Sequence, residues 1–227
     1  MTVDNPRVEG NALSLDSSYV SECANVMAKA FSDSPAFKFI FQGSEAYRLE
    51  ALQWFFERNI LLMMTKCPTV LRGMVDPYNR VICCFLWVPS DAAKISTWEM
   101  VTAGMWQIPL RFGPSTLLRL LSLLDAMKRV DANIGSDRTK KILLQRMVVH
   151  PDYQGNGIGS TALKTVLNDS HNQGLDVHLD TQLERNVVFY QRLGWQVVHE
   201  HDYFPEDTCF GFHSWSLVRK ASSSLEK

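Results

Sequence analysis

The stretch "VVHPDYQGNGIGS", Val148 to Ser160, constrains this chain more than any other. It sets Gly155, Gly157 and Gly159 in alternation, after an apolar run and before a helical pattern. Glycine inside a regular element costs about 0.5–1 kcal/mol relative to alanine. Three together therefore indicate a backbone that must come close to something. The start of a helix presents unpaired N–H groups and about half a positive charge. Glycines there let the backbone wrap a phosphate or pyrophosphate.

The surroundings fix the fold class. Residues 142–149 read as a strand, 157–173 as a helix ended by Gly174, 175–181 as a strand, 186–193 as a short helix ended by Gly194, and 195–201 as a strand. A last strand covers 210–218. Earlier, residues 17–30 and 45–64 have helical spacing, and "FSDSPAFKFIFQG" holds a turn or helix start at Asp33-Ser34-Pro35. Two strands flank the turn "VDPYN", and "RVICCFLWVP" is apolar on both faces, which predicts a central strand. Residues 98–135 depart from the strand pattern, with breaks at Pro109, Gly113 and Pro114, then a helix that Ser115 could cap. Its Leu117, Leu120, Leu121, Leu124 and Met127 form an apolar face expected to pack on the core. The whole suggests a mixed α/β sheet in a single domain over 1–227, with a core of 17–219, this helical insert and flexible ends.

Composition removes several function classes. A net charge of -1 and the lack of a basic stripe argue against a nucleic-acid partner. The longest apolar runs are too short to span a bilayer, and the leucine-rich helix carries few basic residues, so no membrane role is expected. The start lacks a signal-peptide core and the five cysteines form no CxxC pair, which suggests reduced thiols and a cytoplasmic location. His199, His201, Cys209 and His213 match no zinc spacing, so no metal is expected; His199 and His201 should alternate towards solvent on their strand.

Three phosphate cradles compete for the glycines. A P-loop needs a lysine that is missing here. A dinucleotide fingerprint finds Gly155-Asn156-Gly157, with Asp176 or Asp180 at a suitable distance. But Ser160 takes the place of its third glycine, and "HPDYQ" separates strand from turn. The third is coenzyme A. Gln154-Gly155-Asn156-Gly157-Ile158-Gly159, preceded by "MVVHP", resembles the Q/R-x-x-G-x-G/A signature of the GNAT superfamily of acyl-CoA-dependent N-acyltransferases. Further on, Asn186 to Trp195, with Tyr190 and Gly194, resembles that superfamily's Asn–Tyr–Gly–Phe segment, Trp195 standing for the usual Phe. The early "AFSDSPAFKFIFQ" and the insert are similar to the puromycin N-acetyltransferase-like branch.

The resemblance implies a GNAT-type, mostly antiparallel central sheet with splayed central strands flanked by helices. It implies acetyl-CoA as co-substrate, bound by Met147, Val148, Val149, Gln154, Gly155, Asn156, Gly157, Ile158, Gly159, Ser160, Asn186 and Tyr190. A backbone N–H near Val148 would polarise the thioester carbonyl. Tyr190 would protonate the leaving thiolate; a packing tyrosine is the alternative. Asn186 could equally be a helix cap. An amine with a pKa near ~10.4 must lose a proton before it attacks, and Glu184, Asp180, His178 and Asp33 are the candidates to accept it. Strand alternation puts His178 and Asp180 on one face and Val177 and Leu179 on the other. Phe31, Asp33, Phe37 and Trp106 are expected on the acceptor side, where Phe41 would also narrow the groove and favour a small-molecule amine. A protein or peptide acetyltransferase and a non-catalytic acyl-CoA-binding module are the alternatives. The protein is expected as a monomer or homodimer.

Overall fold

The computed structural model describes residues 11–134, 141–168, 174–204 and 210–221. The expected flexible ends, Cys209 and the far end of the 157–173 helix lie outside the described residues. A short strand β1 (Leu13–Ser14) precedes α1 (Val20–Phe31), α2 (Pro35–Ile40) and α3 (Glu45–Lys66). The hairpin β2 (Leu71–Val75) and β3 (Val81–Pro89) follows, then α4 (Thr97–Thr102), α5 (Ile108–Phe112) and α6 (Pro114–Ile134). The rest is β4 (Lys141–Val149), α7 (Ile158–Leu167), β5 (Asp176–Thr181), α8 (Glu184–Gln191), β6 (Gln196–Tyr203) and β7 (Phe212–Arg219).

Local chemistry sets these bounds. In α1 the helical spacing buries Val20, Cys23, Ala24, Met27 and Ala28. Pro35 opens α2 after an extended Ser34, and the Ser44 hydroxyl caps α3 by accepting from the Tyr47 N–H at 3.2 Å. Ser96 and Glu99 close a reciprocal capping box on α4. Helix α6 starts one residue earlier than expected, at Pro114, whose fixed φ suits the first position; Ser115 is therefore inside the helix. Helix α6 buries only part of the expected face: Leu117 and Leu120 are half-buried, Leu120 against the core. Thr116, Leu123 and Ala126 are buried, whereas Leu121, Leu124 and Met127 are exposed together with Leu118. Helix α6 packs on α5, α2 and the edge strand β6, which cover only part of its surface.

The sheet runs β1-β2-β3-β4-β5-β7-β6 and is antiparallel at every neighbour except β4–β5. Strand β3 is buried from Val81 to Val88, as its apolar run requires of a central strand. One face of the sheet packs under α1, α2, α3 and the insert, around Phe56, Leu52, Met27 and Ile60. The other packs under α7 and α8, around Ile82, Phe85, Leu163 and Trp195. Each fully buried side chain of this size contributes about 1.5–3 kcal/mol of transfer free energy. His201 departs from expectation. A bulge between Val197 and His199 shifts the alternation of β6, so the His201 nitrogens are shielded and its ring meets Tyr203 edge-on at 4.6 Å.

Two irregularities make room for a site. Strands β4 and β5 pair only through Lys141–Asp176, Ile142–Val177 and Leu143–His178. Beyond Leu143, β4 continues to Val149 along β3 alone, and β5 continues to Thr181 along β7. The two strands diverge there into a wedge. At the same point the β3–β4 register slips between Cys84 and Leu86, and Arg146 adopts φ 54°, a left-handed conformation that side chains other than glycine rarely take.

Candidate active site

The glycine loop sits at the open end of the wedge. Gly155 (φ 81°) and Gly157 (φ 74°) are left-handed, and a Cβ added to either would meet nothing within 4 Å. The space over them is open. Gly157 is the N-cap of α7 and no side chain caps that helix. Its first-turn donors therefore point into open space, as an anion requires. Gly159 is different: a Cβ there would come within 3.3 Å of Val149 and 3.4 Å of Phe189, so here glycine serves close packing of α7 on β4 and α8.

The loop is held by its own side chains and by a remote aspartate. Gln154 Nε2 donates to the Val149 carbonyl at 3.0 Å, and Asn156 Nδ2 donates to the Tyr153 and Gln154 carbonyls at 3.3 Å. Asp76, in the β2–β3 turn, accepts from the Tyr78 and Arg80 N–H groups at 2.9 Å, from Arg80 Nε at 2.7 Å and from the Tyr153 hydroxyl at 3.0 Å. Burial opposes its ionisation, but these hydrogen bonds, those of Arg80 foremost, outweigh it and bring its pKa down to about 2. That ionised carboxylate ties the hairpin turn to the loop.

Tyr190 lies on the α7–α8 side of the sheet, 8% exposed, with ring contacts to Phe189 at 5.0 Å and Trp195 at 5.6 Å. Burial, and then the neighbouring Cys83, push its phenol well above its ordinary value. It therefore holds its proton at neutral pH. Asn186 Nδ2 donates to Thr181 Oγ1 at 3.0 Å and ties α8 to the end of β5. Met147 and Val149 share this side, whereas Val148 faces the other core. Ile158 is buried and Ser160 half-buried in the first turn of α7.

On the opposite face, Phe31, Phe37 and Phe56 form an aromatic cluster, with Phe37–Phe56 centroids at 5.3 Å and Phe31–Phe56 at 5.9 Å. Phe41 stands further out, against Phe55 and Phe112. Ser34 Oγ donates to Gln182 Oε1 at 3.0 Å, which brings the α1–α2 loop to the end of β5. Asp33 is beside that contact but pairs with Lys38 at 2.7 Å; hydrogen bonding to Lys38 holds its carboxyl below the usual range and makes it a weaker base. Val177 and Leu179 are buried under α7 and α8, so His178 and Asp180 face the aromatic side as alternation requires. Asp180 accepts from the Ser216 hydroxyl. Burial, and then Lys141, lower the His178 pKa and leave it neutral. Glu184 is exposed in the first turn of α8.

Trp106 is not brought to this cluster. Gly104, two residues before it, lies beside the Arg58 guanidinium, which stacks over Trp54. Two residues along a helix turn it by about 200°, so Trp54 and Arg58 lie on the face of α3 opposite Phe56. The insert covers that outer face, and Trp106 is 56% exposed there.

Arg146 is the residue that sequence reasoning missed. Strict alternation along β4 would place it with Ile142 and Leu144 under α7 and α8. The bulge turns it the other way, over the Phe56 ring at 5.5 Å. The available signal was an arginine in the middle of the apolar run "ILLQRMVV".

Residues 126–197, which span the wedge, the glycine loop and Tyr190, match the family model described as an acetyltransferase (GNAT) domain. The match lies in the later part of the chain, and the sheet around it has the fold of GNAT acetyltransferases. Its fold is similar to a Corynebacterium glutamicum structure described as histone acetyltransferase HPA2 and related acetyltransferase: TM-score 0.64, 14% identity, 96% of this chain and 100% of that one. It is also similar to the polyamine N-acetyltransferase of Drosophila melanogaster, described as forming N-acetylagmatine: TM-score 0.58, 14% identity, 92% and 98% covered. At these identities the likeness is one of fold. A Dictyostelium discoideum protein named as a probable serine/threonine-protein kinase is 22% identical over 220 residues, 85% of this chain and 29% of its own length. The chain thus spans less than a third of the curated relatives it matches. GNAT domains use acetyl-CoA, and the donors here suit it: an uncapped helix start with open space above two left-handed glycines, and a strand whose wedge-facing backbone has no partner strand among the described residues.

Proposed function

We propose that the GNAT domain transfers an acetyl group from acetyl-CoA to the primary amine of a small molecule, by direct attack on the thioester. The observation that carries this reading is the wedge itself. It lies between the glycine loop, suited to a pyrophosphate, and an aromatic cluster on the far face of the sheet, suited to an acceptor. Acetyl-CoA supplies an acyl group already activated as a thioester.

The chain's residues do the rest. Loop N–H groups from Gly155 to Ser160 hold the pyrophosphate. The backbone of β4 past the bulge, near Val148, donates to the carbonyl oxygen as it gains charge; one such donor is worth about 2.7–4 kcal/mol in acyl transfer. As the new C–N bond forms, the C–S bond breaks. Tyr190 gives its proton to the departing sulfur, and Asp180, past the last rung of β4–β5, takes the proton from the amine directly or through water. The small-amine acceptor is supported by the enclosure of the aromatic cluster beneath α1, α2 and α3. It agrees with a fold shared with an enzyme described as forming N-acetylagmatine. A library of primary amines incubated with acetyl-CoA, with release of free thiol as the readout, tests this reading. Thiol release with small amines supports it; release with peptides alone, or with none, overturns it.

A further inference from the structure

We infer that the acceptor carries a carboxylate as well as its amine, and that Arg146 is the residue that binds it; this rests on the acetyl-transfer reading above. The guanidinium lies over the fully buried Phe56 ring at 5.5 Å, yet the residue keeps some contact with solvent. The residue is half-buried, so solvent, or a ligand in its place, can reach it beside the aromatic cluster. Arginine has five N–H donors in a planar fork. Among the described residues Arg146 uses them in one long hydrogen bond, Nη1 to Gln145 Oε1 at 3.3 Å, and in no ion pair.

The contrast with Arg48 is instructive. Arg48 is also buried, but its Nε donates to the Ser32 carbonyl at 2.6 Å and its Nη1 to the Gly43 carbonyl at 3.3 Å. Both acceptors are backbone, and Arg48 fastens the α1–α2–α3 connection. Arg146 fastens nothing of the kind. Burial lowers its pKa to about 10, so it stays charged at neutral pH, and among the described residues no carboxylate serves it as a counter-ion. A buried charge is costly unless it is paired.

Its backbone is unusual too. A left-handed φ of 54° at a residue other than glycine is held only where the surroundings impose it, and such conformations gather at ligand sites. Here the bulge gives the strand one extra residue, and its effect is to send Arg146 to the face of Phe31, Phe37 and Phe56. A flat carboxylate matches the guanidinium fork in two parallel hydrogen bonds, and aromatic walls exclude competing water. An acceptor anchored there by its acid end would extend its amine towards the wedge. A diamine would bring its second cation against Arg146 and be disfavoured.

The test is calorimetry on protein saturated with free coenzyme A, which blocks turnover. The probes are 5-aminopentanoate, pentylamine and 1,5-diaminopentane. Wild type should bind the amino acid at least about tenfold more tightly than either other probe, a modest share of what a buried charge pair commonly gives. Arg146→Gln should reduce the preference to within about threefold and Arg146→Lys should keep part of it, because lysine keeps the charge but loses the fork. Coenzyme A affinity should be unchanged in both. Equal or tighter binding of the diamine, no binding of any probe, or a preference that survives Arg146→Gln would each overturn the inference. The wild-type ranking decides the matter even if a variant does not fold. A preference for the amino acid in protein that transfers no acetyl group would keep Arg146 as a carboxylate-binding residue and remove the acetyl-transfer reading, and with it the word acceptor.

Discussion

The two faces of the wedge are built by different means. On the α7–α8 side the groups proposed to meet a coenzyme are main-chain: left-handed Gly155 and Gly157, the uncapped start of α7, and the edge of β4 that has no partner strand among the described residues. On the α1–α3 side the groups proposed to meet the acceptor are side chains: Phe31, Phe37, His178, Asp180 and Arg146. A backbone site tolerates almost any residue that allows its φ and ψ, so it can stay constant while the chain around it changes. A side-chain site changes with each substitution. The first suits a common co-substrate, the second an acceptor peculiar to this protein.

The sharpest break of this contrast is Gly157→Asp. It forces a left-handed φ on a side chain and puts a negative charge where anion-binding N–H groups point. We expect acetyl-CoA affinity to fall by about a hundredfold or more, read by calorimetry on protein whose circular dichroism is unchanged; Gly157→Ala, with free space for its methyl, should lose only about tenfold, the equivalent of the 1–2 kcal/mol left-handed penalty. Unchanged affinity in the aspartate variant would remove the pyrophosphate assignment.

Next in size is Tyr190→Phe, the one side chain on the coenzyme side given a chemical task. General acid catalysis is typically worth 10²–10⁴-fold, and the loss should fall on kcat at saturating acetyl-CoA, with affinity nearly intact. A kcat within about threefold of wild type, the scale of a weak hydrogen bond, would leave Tyr190 a packing residue of the Trp195 cluster.

Smaller effects sharpen the acceptor side. Phe37→Ala should raise acceptor KM about tenfold or more, in line with a lost aromatic contact, and leave acetyl-CoA affinity within about twofold. Trp106→Ala, beyond α3, should change neither. A change in acceptor KM with Trp106→Ala would mean that the insert reaches the pocket.

The smallest expected effect is on stability. Asp76 has a folded pKa of about 2, below the ordinary carboxylate value. Its contribution is therefore full above the unfolded pKa of about 4 and is lost as pH falls through about 2. Thermal melts from pH 5 to pH 2 should show a shallower decline for Asp76→Asn than for wild type. Parallel curves would remove Asp76 as the tie between the hairpin turn and the loop.

What the sequence disclosed follows the same division. The glycine loop was legible because only glycine accepts the φ of positions 155 and 157 freely, and that demand is visible in the chain itself. The alternation of His178 and Asp180 was legible because β5 is regular. Arg146 was not, because a bulge reverses alternation without changing any residue type. Nor was the position of Trp106, since nothing local to residues 98–113 tells which face of α3 they will cover. The α6 stripe misled because a heptad of leucines reads as buried whether or not a partner exists for all of it. Asn186 and Tyr190 are singled out through likeness rather than physics; by spacing alone each is an ordinary helix residue.

The three rungs that join β4 to β5 have a further consequence, for how the molecule comes apart. The sheet is two blades, β1-β2-β3-β4 and β5-β7-β6, each with long antiparallel ladders, while the core on either face draws residues from both. Cooperativity between them passes through a narrow seam and the helices laid across it. Anything that fills the wedge acts as an added rung shared by both blades. Ligand-free protein should then exchange the backbone amides of the two blades with deuterium at different rates, as separate units. Protein loaded with coenzyme should exchange them together, the co-substrate serving as a structural part of the sheet as well as a reagent.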